Sequence, residues 1–146
     1  MRAKGLVFVD TNILVYAFAR DDERRGERAR QVVQDLLAAE RLCVSTQVLQ
    51  EFLVTMTRKL AEPWSIDDAL AAVDDLAAWR TVLVDLRAIR EAALLGRDAR
   101  LSFWDALIVV AAQRAGTRWL LTEDLSDGQV IAGVEILNPF KRGLPS

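Results

Sequence analysis

Short continuous runs of apolar residues alternate along the chain with longer stretches whose apolar residues recur at helical spacing. Continuous apolar runs are typical of strands that are buried on both faces of a parallel sheet. The pattern predicts four strands and a shorter fifth one, at Leu6–Val9, Leu42–Val44, Thr81–Val84, Trp119–Leu121 and Val134–Leu137. Strands that alternate with helices form βαβ units. We therefore expect an α/β fold in one domain over residues 1–146, with a central, mostly parallel sheet of four or five strands and helices on both of its faces.

The longer stretches predict six helices between and after these strands. The first begins at about Thr11, and the second extends over Asp22–Ala39. The third runs from a cap at Ser45 or Thr46 to about Lys59, and the fourth over Ile66–Trp79 after a cap at Ser65. The fifth runs from the third strand to Gly96, and the sixth from Ser102 to about Ala115. Open sheets of this class bind ligands beyond the carboxyl ends of their strands. Functional residues are therefore expected at that edge of the sheet.

The residue counts exclude several classes of chemistry. The chain has no histidine, and Cys43 is its only cysteine. Ser-His-Asp and Cys-His nucleophiles are therefore excluded, and so are histidine-ligated zinc, four-cysteine zinc and iron–sulfur sites. The chemistry must depend on carboxylates, hydroxyls, lysine or arginine, or a bound metal.

Apolar segments of the length used in targeting or membrane insertion are not found in the sequence. The run Leu6–Val9 is shorter than the about 7–15 residues of a signal-peptide core. The longest unbroken run, Ala106–Ala112, is far shorter than the ~18 residues of a membrane span. A lone cysteine cannot form a disulfide within the chain, which suits a reducing compartment. These features favour a cytoplasmic protein.

Two aspartates are expected at the carboxyl ends of buried strands. Asp10 follows the first strand directly, and Asp124 comes soon after the fourth. They would meet in one crevice if the two strands are neighbours. Each also has a structural interpretation, Asp10 as a helix N-cap and Asp124 as a turn residue.

Two further acids differ in how well the pattern supports a functional role. Asp105 lies in a helix that is apolar around nearly its whole circumference, where an isolated charge is too costly unless it is paired or bound. A capping box with Ser102 is the alternative interpretation. Glu51 lies off the apolar stripe of its helix, and periodicity alone predicts an exposed surface acid.

Several carboxylates in one cleft repel one another unless a cation neutralises them. Hard oxygen ligands select Mg²⁺ or Mn²⁺. Because the chain has no histidine, water activated by such a metal is the most plausible nucleophile, and the same metal can stabilise a leaving oxygen. This combination indicates hydrolysis of phosphodiester bonds. The cation would also reconcile a formal net charge of −2 with a polyanionic substrate.

The sequence resembles PIN-domain ribonucleases, and in particular the VapC-type toxins of type II toxin–antitoxin systems. The resemblance rests on stretches that occur in family order and extend over nearly the whole chain. They are Val7–Tyr16, Ser45–Phe52, Leu101–Ile108, Leu120–Gly128 and Ile136–Phe140. Each motif is weak alone, whereas the set in register is specific. The resemblance implies a PIN-like fold and a metal-dependent endoribonuclease.

The resemblance also implies the site residues. The acidic residues that bind Mg²⁺ or Mn²⁺ and carry out catalysis would be Asp10, Glu51, Asp105 and Asp124. Asp10 and Asp105 would be the most direct ligands, and Glu51 would bind the metal or orient the water. Asp127 is an alternative to Asp124 as the fourth acid. Asn12 and Thr122 match supporting polar positions that hold Asp10, water or the phosphate.

Partners follow from the same resemblance. It implies a homodimer, an RNA substrate such as tRNA or rRNA, and a cognate VapB-type antitoxin that lies in a groove near Tyr16, Phe18 and the segment after Asp22. A binding module that acts mainly through its antitoxin in transcriptional autoregulation is the alternative function. Arg20, Arg24, Arg25, Arg28 and Arg30 form a cluster that either guides RNA or, as the favoured interpretation, pairs with interleaved acids on a solvated helix face. The four tryptophans are expected to pack in the core or in a dimer interface.

Overall fold

A computed structural model describes residues 5–144. Within them, six strands form one sheet in the order β3-β2-β1-β4-β6-β5. The strands are β1 Val7–Val9, β2 Leu42–Ser45, β3 Arg80–Val82, β4 Trp119–Leu121, β5 Val130–Ile131 and β6 Val134–Leu137. All neighbours are parallel except the pair of β5 and β6. The mostly parallel α/β sheet is therefore confirmed.

Helices flank the sheet. They are α1 Thr11–Phe18, α2 Glu23–Ala38, α3 Thr46–Val54, which continues as a π-helical turn over Thr55–Lys59, α4 Ile66–Leu76, α5 Leu86–Ala99 and α6 Phe103–Arg114. Helix α6 packs against β2, β4 and β6, whereas α2, α3 and α4 contact β2. The apolar residues 106–112 of α6 are all buried, as its sequence predicts.

The central strand β1 is completely enclosed. Phe8 and Val9 have no exposed surface, and Val7 has almost none. Leu120 and Leu121 on β4 are equally buried. Strands that are covered on both faces must be apolar at every position, which explains why continuous runs rather than alternating patterns mark this sheet.

Five parallel strands end at one edge of the sheet, and two helices begin there. Because β1, β2, β3, β4 and β6 are parallel, their carboxyl ends lie together. Helix α3 begins directly after β2, and Ser45 caps it by accepting a hydrogen bond from the Val48 N–H. Helix α6 leads into β4 through a short turn, so its first residue, Phe103, lies back at the same edge. We call this side of the sheet the carboxyl edge.

Helices α1 and α2 approach each other closely at Gly26. A Cβ on this buried residue would stand 3.1 Å from the backbone oxygen of Tyr16 and 3.0 Å from Arg30 Nη1. Both distances are shorter than ordinary van der Waals contacts. Glycine therefore allows the first turns of α2 to lie against α1.

The structure corrects the sequence prediction at several places. It contains a sixth strand, β5, which is only two residues long and pairs with β6 through a hairpin with Gly133 in the left-handed region. Helix α4 ends at Leu76 instead of Trp79, and α5 continues past Gly96 to Ala99. Core packing is right for Trp64 and Trp119. Trp79 and Trp104, which are 48% and 64% exposed, do not pack in the core, and the alternative that they pack in a dimer interface stays a prediction.

None of the helices within residues 5–144 has the length and apolar character that a membrane crossing requires. The assignment of residues 1–146 to one domain stays a prediction, since residues 1–4 and 145–146 lie outside the described part of the chain.

The cap of α6 gives a test of the local structure. Ser102 Oγ accepts a hydrogen bond from the Asp105 N–H at 3.1 Å, and loss of such a cap costs about 1 kcal/mol. We expect Ser102→Ala to lower the free energy of unfolding in urea by about that amount. Ser126→Ala, in an exposed loop, is the matched control. Equal unfolding midpoints for the two variants would contradict the cap.

Candidate active site

Asp10 follows β1 directly, and its carboxylate joins the ends of two strands. Oδ1 accepts a hydrogen bond from the Thr11 N–H at 2.7 Å. Oδ2 accepts one from the Thr122 hydroxyl, at the end of β4, at 2.9 Å. Only 7% of the residue is exposed. The N-cap interpretation of Asp10 is confirmed, and the same carboxylate lies where β1 and β4 end side by side.

Thr122 holds three polar groups together. Its hydroxyl donates to Asp10, and its oxygen accepts hydrogen bonds from Asn12 Nδ2 at 3.3 Å and from the Asp124 N–H at 3.1 Å. A hydroxyl has one donor and two acceptor positions, so this arrangement uses all of them. The fully buried Thr122 is therefore fixed in orientation and fixes Asp10 in turn.

The side-chain oxygen of Asn12 is an unmatched acceptor. Oδ1 is buried and has no hydrogen-bond partner among the described residues. Rotating the amide would not help, because the single hydroxyl proton of Thr122 already points at Asp10. A buried acceptor without a partner costs about 1–3 kcal/mol. A ligand that brings positive charge or a donor to this oxygen would remove that cost.

A cleft of about 430 Å³ lies beside these residues. Its lining comes from the start of α1, from α3 and its π-helical turn, and from the loop after β4. The lining residues are Thr11, Asn12, Gln50, Glu51, Val54, Thr55, Lys59 and Asp124. Glu51 and Asp124 are exposed, and the Thr11 hydroxyl donates to Glu51 Oε1 at 3.0 Å. Two acids from distant parts of the sequence thus share the cleft with Asn12.

Three carboxylates interact electrostatically at this site. Burial raises the pKa of the Asp10 carboxyl to about 7. Hydrogen bonds from Thr11 and Thr122 act in the opposite direction, and the charges of Asp124 and Glu51 raise the pKa further. Near neutral pH, Asp10 therefore binds a proton easily unless a cation compensates the surrounding negative charge.

Asp105 lies in the first turn of α6 at the carboxyl edge and is half-buried. Its N–H donates to Ser102, which confirms the serine-to-Asp105 half of the predicted capping box. The start of α6 is connected to α3 by a hydrogen bond from Gln47 Nε2 to the Trp104 oxygen at 3.3 Å. Asp105 thus shares the edge with Asp10, but it does not line the cleft.

Asp127 is bound elsewhere. Its Oδ1 accepts hydrogen bonds from the Asn138 N–H at 2.8 Å and from Arg142 Nε at 3.0 Å. These two hydrogen bonds, that from Asn138 first, lower the pKa of the carboxyl. Of the two candidates for the fourth acid, Asp124 lines the cleft, whereas Asp127 organises the C-terminal loop.

Within residues 5–144, no group of three or more aspartate, glutamate, cysteine or histidine side chains is close enough together to hold a metal ion alone. Mg²⁺ is commonly bound by one or two carboxylates together with waters and substrate oxygens. The exposed carboxylate of Asp124, the buried one of Asp10 and the unmatched oxygen of Asn12 fit this mode of binding better than an all-protein cage.

The model of the PIN domain family matches residues 7–126, which is most of the chain. The chain belongs to the PIN-domain family. The matched region contains Asp10, Glu51, Asp105 and Asp124, whereas Asp127 lies just beyond its end. No curated protein sequence matches the chain closely enough to count as a relative.

Several solved structures share the PIN fold of this chain. A toxin–antitoxin complex from Klebsiella pneumoniae has a TM-score of 0.67 at 19% identity, over 91% of this chain and 97% of its own. DNA-bound VapBC from Salmonella typhimurium has a TM-score of 0.63 at 20% identity, over 91% and 97%. VapC20 of Mycobacterium tuberculosis, a sarcin-ricin loop cleaving toxin, has a TM-score of 0.60 at 22% identity, over 88% and 98%. The fold is thus that of VapC proteins.

Sequence patterns do not single out five of the eight residues that line this PIN-domain cleft, and Thr11 and Lys59 are the two with chemistry to offer. Thr11, which binds Glu51, resembles any residue in a first helical turn. Lys59 lines the cleft from the π-helical turn after α3, a change of helical period that no residue type predicts. A polar residue next to a strand-end aspartate was the only available signal, and it applied to Thr11 alone.

The raised pKa of Asp10 predicts how the free energy of unfolding depends on pH when a chelator removes divalent cations. The folded state binds the Asp10 proton more tightly than the unfolded state, whose pKa is about 4. This stabilisation is complete below pH ~4 and is lost as the pH rises to ~7. The free energy of unfolding of the wild type, relative to Asp10→Asn, should therefore fall by a few kcal/mol, as an order of magnitude, between pH 4 and pH 8.

Urea unfolding in EDTA at a series of pH values measures this difference. Asp74→Asn, an exposed residue of α4, is the control and should follow the wild type at every pH. A constant difference between wild type and Asp10→Asn across the series would show that Asp10 titrates normally.

Proposed function

We propose that this PIN-domain protein is a cytoplasmic toxin that cleaves RNA as a Mg²⁺- or Mn²⁺-dependent endoribonuclease and is inhibited by a VapB-type antitoxin. The main support is the buried carboxylate of Asp10, whose charge is opposed by Asp124 and Glu51 in the same region. Burying a carboxylate near other carboxylates is energetically unfavourable unless a cation neutralises their charge.

We assign the metal and catalytic roles to Asp10, Glu51, Asp105 and Asp124. Support differs among them: Asp124 and Glu51 line the cleft beside Asp10, and Asp105 lies at the same edge on α6. The unmatched Oδ1 of Asn12 is suited to the cation or to a water that the cation orders. The bound cation would supply a Lewis acid that activates water and stabilises the leaving oxygen.

The protein's own residues would position the reacting groups. Thr122 holds Asp10 Oδ2, which fixes the orientation of this carboxylate beside the cleft. Thr11 holds Glu51 Oε1, which leaves Oε2 to orient the attacking water. Lys59 lies on the cleft wall, where its ammonium group can attract a phosphate oxygen.

A groove between α1, α2 and α4 supports the antitoxin assignment. It has a volume of about 410 Å³, and its lining combines five apolar residues with four polar or charged ones. The lining residues are Ala17, Phe18, Arg20, Arg30, Val33, Gln34, Leu37, Trp64 and Asp75. An amphipathic segment of a partner suits such a groove. Phe18 and the segment after Asp22 are part of the expected region, whereas Tyr16 does not line this groove.

Exposed apolar residues support the proposed homodimer. Leu83 and Leu86, on either side of the start of α5, are 70% and 73% exposed. Trp104 at the start of α6 is 64% exposed. Exposed apolar residues of this size are frequent in interfaces, and a second copy of the chain would cover them.

The activity is tested with a labelled RNA and purified protein free of antitoxin. We expect cleavage in Mg²⁺ or Mn²⁺ and none in EDTA. Asp10→Asn should slow cleavage by about 100-fold or more, since it removes a charge at the reacting centre. The control Asp74→Asn should cleave at the wild-type rate.

Cleavage by Asp10→Asn at the wild-type rate would contradict the mechanism. If the wild-type protein cleaves no RNA but binds its antitoxin and operator DNA, the protein is a binding module in transcriptional autoregulation instead.

The positioning role of Thr122 gives a second test. Thr122→Val keeps the shape of the side chain and removes the hydrogen bonds to Asp10, Asn12 and the Asp124 N–H. Loss of such a supporting residue commonly costs 10–100-fold, and we expect a fall in kcat of about that size.

Thr117→Val is the matched control, because Thr117 is also buried and donates to the Ala112 oxygen at 2.8 Å, away from the cleft. It should reduce stability and leave kcat unchanged. Equal values of kcat for Thr122→Val and Thr117→Val would refute a positioning role.

A further inference from the structure

A basic pocket lies at the carboxyl edge beside the acidic cleft. It has a volume of about 310 Å³, and three arginines from the first turns of α2 face two residues that follow β6. These residues are Arg24, Arg25, Arg28, Pro139 and Phe140, and we call the cavity the arginine pocket. Pro139 and Phe140 come directly after the carboxyl end of β6, so the pocket belongs to the same edge as Asp10.

The order of the strands sets the spacing between the pocket and the acids. β4 separates β1 from β6, and neighbouring strands are about 4.8 Å apart. The end of β6 is thus roughly 10 Å from the end of β1. Glu123, the neighbour of Asp124, forms the boundary: it accepts a hydrogen bond from the Tyr16 hydroxyl at 2.5 Å and pairs with Arg25 at 3.3 Å.

The positive charge of Arg25 is paired with the negative charges of two acids. Its guanidinium group pairs with Asp22 at 3.2 Å and with Glu123 at 3.3 Å. Its central carbon also lies 5.8 Å from the ring centre of Tyr16 and 5.7 Å from that of Phe140. Arg25 therefore builds the wall of the pocket.

Arg24 and Arg28 keep their positive charge available. Neither forms an ion pair with any residue in the range 5–144. Arg28 Nε donates to the Pro139 oxygen at 3.0 Å, which orients the guanidinium plane without neutralising it. Among residues 5–144, only Arg25 of the arginine cluster pairs with one of the interleaved acids, Asp22. The favoured interpretation of the cluster is therefore wrong for Arg20, Arg24, Arg28 and Arg30, which form no ion pair there.

We propose that the arginine pocket is a phosphate-binding subsite, in which Arg24 and Arg28 hold a backbone phosphate of the RNA near the scissile bond. This inference rests on the proposed ribonuclease function. Arginine forks match phosphate oxygens and form short, charge-assisted hydrogen bonds with them.

The charge distribution favours RNA over a protein partner as the occupant. The chain has a formal net charge of −2, and the neighbouring cleft is acidic, so a polyanion needs a local basic site to approach it. Three of the five residues that line the pocket are arginines and none is acidic, whereas the groove proposed for the antitoxin has five apolar residues among its nine and includes Asp75. A carboxylate of a protein partner is the competing occupant.

Binding of a fluorescein-labelled single-stranded RNA, measured by anisotropy in EDTA, isolates this subsite from catalysis. The double variant Arg24→Gln/Arg28→Gln should weaken binding about 10-fold or more at low salt and reduce the slope of log K against log salt by about 1.4, or about 0.7 for each lost contact. In Mn²⁺ the variant should raise KM and change kcat little. Arg24→Gln alone, at an exposed residue, should give half of the slope change and guards against misfolding of the double variant.

The control is Arg80→Gln/Arg90→Gln, which removes the same charge at exposed residues of α5 and of β3, the strand at the opposite end of the sheet from β6 and β5. It should leave the salt slope near the wild-type value. If the double variant binds RNA with the wild-type affinity and salt slope, the proposed subsite is wrong. Metal-dependent cleavage by the wild-type protein would still support the ribonuclease function in that case. Loss of antitoxin binding with unchanged RNA binding would assign the pocket to a protein partner and equally overturn it.

Discussion

One buried carboxylate organises this protein. Only 7% of Asp10 is exposed, and the negative charges of Asp124 and Glu51 act on its carboxylate. Burial deprives the carboxylate of hydration, which is unfavourable for its charge, and the two neighbouring charges add repulsion, so such an arrangement opposes folding unless it is held in place. The chain holds it with hydrogen bonds from Thr11 and Thr122. The stability of the folded state and the capacity to bind a cation therefore depend on the same atoms.

The parallel sheet explains why residues so distant in sequence share one edge. β1 and β4 are neighbours, and this places Thr122 against Asp10 although the two residues are 112 positions apart in the chain. The next strand, β6, places Phe140 beside the arginines of α2. Negative charge is thus concentrated near β1 and β4, and positive charge near β6. A phosphodiester chain requires both, a cation-binding site at the bond that breaks and basic groups for its other phosphates.

The sequence predicts more of the fold than of the site. Buried strands are recognisable because every position is apolar, and Ser45, Ser65 and Ser102 all cap helices as expected. The two-residue strand β5 is too short for any pattern. Periodicity correctly predicts that Glu51 is exposed, but its bond to Thr11 arises from packing of α1 against α3. The resemblance favours Asp124 and leaves Asp127 as an alternative, because the bonds of Asp127 to the distant Arg142 and Asn138 are not visible in the sequence.

The central claim is that Asp10 and Asp124 share a divalent cation at the carboxyl edge. Anomalous scattering from a crystal of the protein grown with Mn²⁺ tests it most directly, because manganese can be located without reference to activity. We predict an anomalous peak in the cleft, within coordination distance of oxygens from both Asp10 and Asp124. Manganese bound only at surface carboxylates away from Asp10, under conditions in which the protein cleaves RNA, would contradict this account.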